Sequence, residues 1–237
     1  MLSYDAIGQA VHNYHFKRID KPITIHSEGF DEDFVDPSYF FRSFKQMPKL
    51  EQIALQKASG TVLDVGACAG CHSLFLQQKG VAVTALEQSA LCCEVLKDRG
   101  VDQVIHADLM NFSSQKFDTL LLLMNGTGIA GRLGNLKTFL AQLKNLLNPN
   151  GQILIDSSDL IYLYMDEDGA AEIDINAENY YGELVYQAEY NGIKGRPFPW
   201  LYIDSENLAE YAEEVGLKIE NIEFGDHFDY LATIKLA

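Results

Sequence analysis

From Thr61 onward the apolar positions fall into two alternating rhythms. TVLDV (61–65) is a short apolar run and predicts a buried strand. CHSLFLQQKG has helical spacing and ends at Gly80. VAVTALE (81–87) predicts a second strand, and SALCCEVLKDRG a helix with Ser89 as its N-cap and Gly100 at its end. VDQVIHAD (101–108) reads as a third strand. FDTLLLLM (117–124) is almost wholly apolar, as a fourth strand buried on both faces should be. LGNLKTFLAQLKNLL (133–147) puts Leu136, Leu140, Leu143 and Leu147 on one helical face. NPNG (148–151) reads as a turn and QILIDS (152–157) as a fifth strand. Strands alternating with helices predict crossovers and a parallel sheet.

The flanks follow other rules. GELVYQAEYNGIKGRPFPW, within an insertion at 158–203, alternates like a hairpin with its turn at Asn191-Gly192. SENLAEYAEEVG (205–216) predicts a helix opening at Ser205 and Glu206. LKIENIEFG and FDYLATIKLA predict a final antiparallel pair at a sheet edge. Before Thr61, YDAIGQAVHNYHF is helical in pattern and is followed by a Pro- and acid-rich connection. PSYFFRSFKQMPKLEQIALQKA predicts two short helices divided at Pro48. The expected architecture is α/β: a seven-stranded sheet with an antiparallel last strand and helices on both faces. An N-terminal helical cap or lid (1–58) precedes a main domain (59–237) that carries the insertion. The acidic stretch at 26–38 is a candidate lid over the site.

Composition narrows the function. The net charge is -16, and KRIDK (17–21) is the densest basic patch. Nucleic-acid binding draws on clustered Lys and Arg, so no nucleic-acid partner is expected. No apolar run approaches the roughly 20 residues that span a bilayer, and TLLLLMNGTGIAG is interrupted by Asn125, Gly126 and Gly128. The first residues lack a basic n-region and an apolar h-region, so a cytoplasmic location is expected. The cysteines are Cys68, Cys71, Cys92 and Cys93. CAGCH (68–72) has the C-x-x-C-H form of a haem attachment site, of half a zinc site or of a redox dithiol. Covalent haem attachment belongs outside the cytoplasm, and adjacent Cys92 and Cys93 have the wrong spacing for a second zinc pair. No metal is expected.

The position of CAGCH gives it another meaning. It ends the first strand and opens the first helix, where open parallel sheets bind ligands. Gly66 and Gly70 permit a tight turn there. Glu87 ends the second strand, where a carboxylate can accept both hydroxyls of a ribose. Asp108 ends the third, where another can meet an adenine amino group. VLDVGACAG, ALEQ, HADL, FDTLLLLMNGTGIAG and LNPNGQILIDSSD, in this order, resemble the class I S-adenosylmethionine-dependent methyltransferases over about residues 60–157 and the terminal helix and strand pair. The resemblance implies a Rossmann-like fold and S-adenosyl-L-methionine as cofactor, with S-adenosyl-L-homocysteine as product. It assigns the methionine part to Asp64, Gly66 and Gly70, the ribose to Glu87 and the adenine to Asp108, with Leu109 beside the ring; Ala67, Cys68, His72 and Gln88 are further cofactor-side candidates. Asn125 and Gly126 would lie between cofactor and acceptor. One departure is Cys68, where the family has glycine; a small thiol replaces glycine if the local φ is negative.

The M-N-G-T-G loop looks more like the loop of small-molecule methyltransferases than the N/D-P-P-Y/F of base or glutamine methylating enzymes. A small-molecule acceptor is therefore expected, with Tyr14, His15, Asn125, Asp156 and Trp200 as candidates for its pocket. Asp159, Tyr180, Tyr181 and Phe198 are further candidates from the same parts. The catalytic residues are left unassigned, because aligning the nucleophile with the methyl group is the main task. A protein acceptor, a non-catalytic binder of the cofactor and an aminopropyltransferase are the rival readings, the last needing an acid-rich loop that MNGTGIAG does not supply. A monomer or homodimer is expected.

Overall fold

The computed structural model describes residues 4–166, 168–171 and 179–237. Helix α1 (Ala6–Lys17) starts at Asp5, whose carboxylate accepts the Gly8 N–H. Strands β1 (Ile23–Ser27) and β2 (Asp33–Val35) follow. Two single turns of 3-10 helix (Pro37–Phe41 and Phe44–Gln46) lead to α2 (Lys49–Lys57). Then come β3 (Thr61–Val65), α3 (Cys71–Gln78), β4 (Ala82–Glu87), α4 (Ala90–Asp98), β5 (Val104–His106) and β6 (Phe117–Leu122). Helix α5 (Leu136–Asn145) and β7 (Leu147–Ser158) complete the alternation. The insertion supplies β8 (Glu183–Tyr190), β9 (Ile193–Lys194) and β10 (Phe198–Leu201). The chain ends with α6 (Ser205–Glu214), β11 (Leu217–Phe224) and β12 (Asp229–Leu236).

The main sheet has seven strands in the order β11-β12-β7-β6-β3-β4-β5. β3 to β7 run parallel, and β12 is antiparallel to both β7 and β11. Its central strands are apolar on both faces because both are covered. Val62, Leu121, Leu154 and Leu231 point to one side, against Leu50, Leu55 and Leu76 of α2 and α3. Leu63, Leu120, Leu122, Ile153 and Ile155 point to the other, against α5 and α6. Chain order reverses beside β3, so the carboxyl ends of β3 and β6 diverge into a crevice, the place where such sheets bind ligands.

Several local expectations hold. Ser89 caps α4 by accepting the Cys92 N–H, and Asn191 and Gly192 turn the β8–β9 hairpin with φ of 50° and 76°. Others are corrected. The 101–108 strand shortens to β5, and Leu147 begins β7 instead of ending the helix before it. NPNG is a bulge: β6 advances from Phe117 to Thr119 while its partner in β7 moves from Leu147 to Gln152. The acidic connection near the N-terminus is the β1–β2 hairpin, so this region is not purely helical. β1 pairs with β8 of the insertion, Thr24 opposite Glu189, and a second sheet forms in the order β10-β8-β1-β2. Its apolar side, with Ile23, Ala188 and Tyr190, packs on Ala6 and Ala10 of α1.

Candidate active site

Five aligned strands deliver their last residues to one edge. β3 ends in the loop Gly66–Gly70, which turns into α3. The Gly66 N–H donates to Leu86 O at 2.8 Å and the Gly70 N–H to Ala67 O at 2.7 Å. The two glycines serve different needs. Gly66 has φ of 72° and faces open space where a Cβ would stand. Gly70, at φ 80°, would drive a Cβ to 2.6 Å from Leu96 Cδ2, so it is fixed by packing on α4 as well as by conformation. Cys68 has φ of 49°. The negative φ under which a thiol is a neutral replacement for glycine is not the one found. The left-handed conformation costs a non-glycine residue about 1–2 kcal/mol.

Glu87 holds this loop. Its Oε2 accepts the Cys68 N–H at 2.8 Å and its Oε1 the Ser89 N–H at 2.7 Å. Burial raises its pKa, and these N–H groups offset part of that. Gln88 is exposed, with its carbonyl accepting from His106 Nε2. Asp108 is exposed at the end of β5 and caps the turn Leu109–Asn111 through Met110 N. The Leu109 side chain turns inward and packs in the main core, so it is Met110 that stands exposed beside Asp108.

A cleft opens between this loop and the end of β6. Phe40, Asp64, Gly66, Cys68, His72 and Met124 line it. Behind it lies a buried ion cluster. Arg42 Nη2 donates to both oxygens of Glu51 at 3.1 Å, and His72 Nε2 lies 2.7 Å from Glu51 Oε2. The Arg42 guanidinium sits 3.6 Å from the Tyr39 ring centroid. Burial disfavours the His72 imidazolium, but Cys71, Glu51 and Asp64 outweigh it and hold the His72 pKa well above its ordinary value. Asp64 is raised by burial, partly offset by His72 and by Ser73, whose Oγ donates to Asp64 at 2.5 Å. His72 is thus a cleft wall residue that is also part of the ion cluster.

Sequence reasoning missed Arg42 and Glu51. The available signal was Glu51 itself, a charge on the buried stripe of α2 with Leu50, Ala54 and Leu55.

The comparisons with known proteins fit this geometry. The family model described as "Methyltransferase domain" matches residues 63–155. A solved S-adenosylmethionine-dependent methyltransferase from Bacteroides fragilis, in complex with S-adenosyl-L-homocysteine, is 44% identical; the match covers 100% of this chain and 97% of that one, with a TM-score of 0.92. The chain belongs to the S-adenosylmethionine-dependent methyltransferases. Two solved structures share the fold at low identity. The CcbJ methyltransferase from Streptomyces caelestis is 15% identical over 82% of this chain and 94% of that one, with a TM-score of 0.62. The sugar N-methyltransferase KedS8 from Streptoalloteichus is 13% identical over 84% and 88%, with a TM-score of 0.55. No curated protein matches the chain.

In this methyltransferase the acceptor-side candidates separate into two groups. Asn125 and Asp156 come together. Met124 and Asn125 have φ of 69° and 59°, two consecutive left-handed residues. Asp156 stabilises them: its Oδ2 accepts the Met124 N–H at 3.0 Å and its Oδ1 the Gly126 N–H at 2.9 Å. Asn125 Oδ1 accepts from Ser158 Oγ at 3.0 Å. Trp200, on β10, fills the space where Gly128 lacks a Cβ, so it covers the turn after Asn125. Tyr181 donates to Asp159 at 2.7 Å and Tyr180 to Asp204 at 2.5 Å, while the Tyr186 and Tyr202 hydroxyls meet at 3.0 Å. Phe198 packs near Tyr186 and Trp200.

Tyr14 and His15 lie elsewhere. Both pack on Phe41, and His15 Nε2 is 2.6 Å from Asp98 at the far end of α4. Asp5, at the other end of α1, accepts from Ser89 Oγ at 2.5 Å. His15 clamps α1 to α4.

CAGCH is likewise absorbed by the fold. Cys71 opens α3 and is buried, and all four cysteines are free. Among the described residues no group of three or more His, Cys, Asp or Glu is arranged to hold a metal ion, and no helix is long and apolar enough to cross a membrane.

Proposed function

We propose that the cofactor lies across the cleft at the carboxyl ends of β3, β4 and β5, and that the methyl acceptor is a small molecule. When bound, S-adenosyl-L-methionine supplies an electrophilic methyl group on a sulfonium. Three features support the fit of this chain's residues to it. Gly66 leaves open space at the cleft wall. The N-cap of α3, Gly70, supplies no side-chain cap, so the first-turn N–H groups other than that of Ser73, which Asp64 accepts, are available to an anionic group. Glu87 uses one N–H per carboxylate oxygen and keeps lone pairs for ribose hydroxyls. Asp108 is free to meet the adenine edge, and Asp64, through Ser73, fixes the start of α3.

The observation that carries the small-molecule reading is the cover over the acceptor side. Insertion and N-terminal strands join into one sheet, and Tyr186, Tyr202 and Trp200 stand half-buried on it or just after it. Phe40 closes the cofactor end. Such a roof favours a compact acceptor over an extended chain. The KedS8 and CcbJ folds support the same reading only by fold analogy. A protein acceptor remains the alternative. The test is transfer of labelled methyl from S-adenosylmethionine to a cell extract split by ultrafiltration. Label is expected in filtrate compounds other than S-adenosylmethionine itself; transferred label confined to retained protein would refute the small-molecule reading.

A further inference from the structure

Asp156 is placed for more than holding a loop. Its carboxylate bonds the backbone of Met124, which lines the cofactor cleft, so it lies 3.0 Å from the wall past which the methyl group must be delivered. The residue is half-buried, beside the cleft residue Met124. Its two N–H bonds leave lone pairs open on both oxygens. Among the described residues no Lys, Arg or His makes a salt bridge to it. The ionisable groups around it are Glu51 on α2, His72 on α3, Tyr39 in the 3-10 turn before α2, Tyr202 after β10 and Tyr230 on β12. Arg42 and His72, the nearby cations, are already committed to Glu51.

We propose that the acceptor is a small amine that arrives as an ammonium ion, and that the Asp156 carboxylate pairs with it and takes its proton. This rests on the small-molecule reading above. The proton passes from the ammonium nitrogen to an Asp156 oxygen. The freed nitrogen lone pair forms the new bond to the methyl carbon, the carbon–sulfur bonding pair stays on sulfur, and the methylated ammonium and a neutral thioether leave. Asp156 then returns its proton to solvent.

The chemistry selects among acceptors. Burial pushes the Asp156 carboxyl up to about 7, against the pull of the Gly126 N–H. Moving a proton to it from an alkylammonium near pKa ~10 is uphill by only about three units. From a hydroxyl as weakly acidic as water, at ~15.7, the gap is about nine units. A carboxylate acceptor would be repelled by Asp156. A neutral phenol has a similar pKa to an amine but gains no charge pairing before transfer.

The test uses methyl-labelled S-adenosylmethionine and a panel of small primary and secondary amines, phenols, alcohols and carboxylic acids. Calorimetric titration with S-adenosylhomocysteine runs alongside. Label is expected in amines alone. The Asp156→Asn variant is expected to bind S-adenosylhomocysteine within about threefold of wild type. Its transfer to the best amine should fall by on the order of 10²–10⁴ at neutral pH, the range of general-base effects. That loss should shrink as the pH nears the pKa of the free amine, a recovery that a purely structural defect does not show. Label in no amine, whether or not another class takes it, overturns the proposal, and this wild-type result stands even if the variant does not fold. An unchanged pH profile in a folded variant overturns it too, as does loss of S-adenosylhomocysteine binding, which would make Asp156 a loop staple. Failure of the wild type to bind S-adenosylhomocysteine sinks the cofactor site first, and this inference with it.

Discussion

Replacing Glu51 with Gln is expected to cost about 3 kcal/mol of folding stability, the lower part of the ~3–5 kcal/mol range for breaking a buried ion pair. The buried figure applies because the Arg42 and Glu51 side chains are only 6% and 4% exposed. The lower end applies because Gln retains one oxygen for Arg42. At roughly 2–4 °C per kcal/mol for a chain of this size, the midpoint should fall by about 6–12 °C. Trp200, the one tryptophan, gives a fluorescence signal for urea unfolding. The pH dependence carries its own sign. The His72 pKa is raised in the folded state, so its contribution is complete below its unfolded value of ~6.5 and disappears as pH climbs through the raised value. The gap between wild type and variant should therefore be widest near pH 6 and narrow in alkali. Arg42→Met should cost less in the Glu51→Gln background than alone, since the pair is then already broken. A loss below ~1 kcal/mol, a gap that ignores pH, or additivity within ~0.5 kcal/mol would refute the cluster's role.

Gly66→Ala should cost about 1 kcal/mol of stability for its left-handed φ, yet weaken S-adenosylhomocysteine by on the order of tenfold or more in a calorimetric titration, because its Cβ enters the open cleft. Gly70→Ala should behave in the opposite way: strain plus the clash with Leu96 should remove about 2–5 kcal/mol in urea unfolding. Gly128→Ala should expel the Trp200 ring, seen as a red-shifted and more quenchable tryptophan emission.

The central strands were legible because burial on both faces leaves few polar positions to confuse the pattern; Leu120 to Leu122 is the plainest case. Short-range chemistry was legible too, as at the Ser89 cap and the Asn191-Gly192 turn. The β1–β2 hairpin was not. ITIHS and DFV are short, half-polar strands; DFV pairs with ITIHS, and ITIHS pairs in turn with β8, more than 150 residues along the chain, where Thr24 faces Glu189. Periodicity is blind to such partners. Separation along the chain also hid the ion cluster, which joins residues 42, 51 and 72 from three segments. NPNG has turn composition but folds as a bulge, because β6 continues to pair with β7 on both sides of it. A helix drawn from sequence has no address in space; only the pairing of His15 with Asp98 shows which end of α4 it meets. Cys68 shows the limit at a single residue, since composition does not give the sign of φ.

The proposed cofactor site lies where Glu87 ends β4 and Asp108 follows β5. Titrating S-adenosylhomocysteine into wild type, Asp108→Ala and the Glu87→Ala, Asp108→Ala double variant tests it most directly. Micromolar binding by wild type is expected, with a loss on the order of tenfold in the exposed single variant and no measurable binding in the double variant. Equal affinity across all three proteins, or no binding by the wild type, would contradict the site.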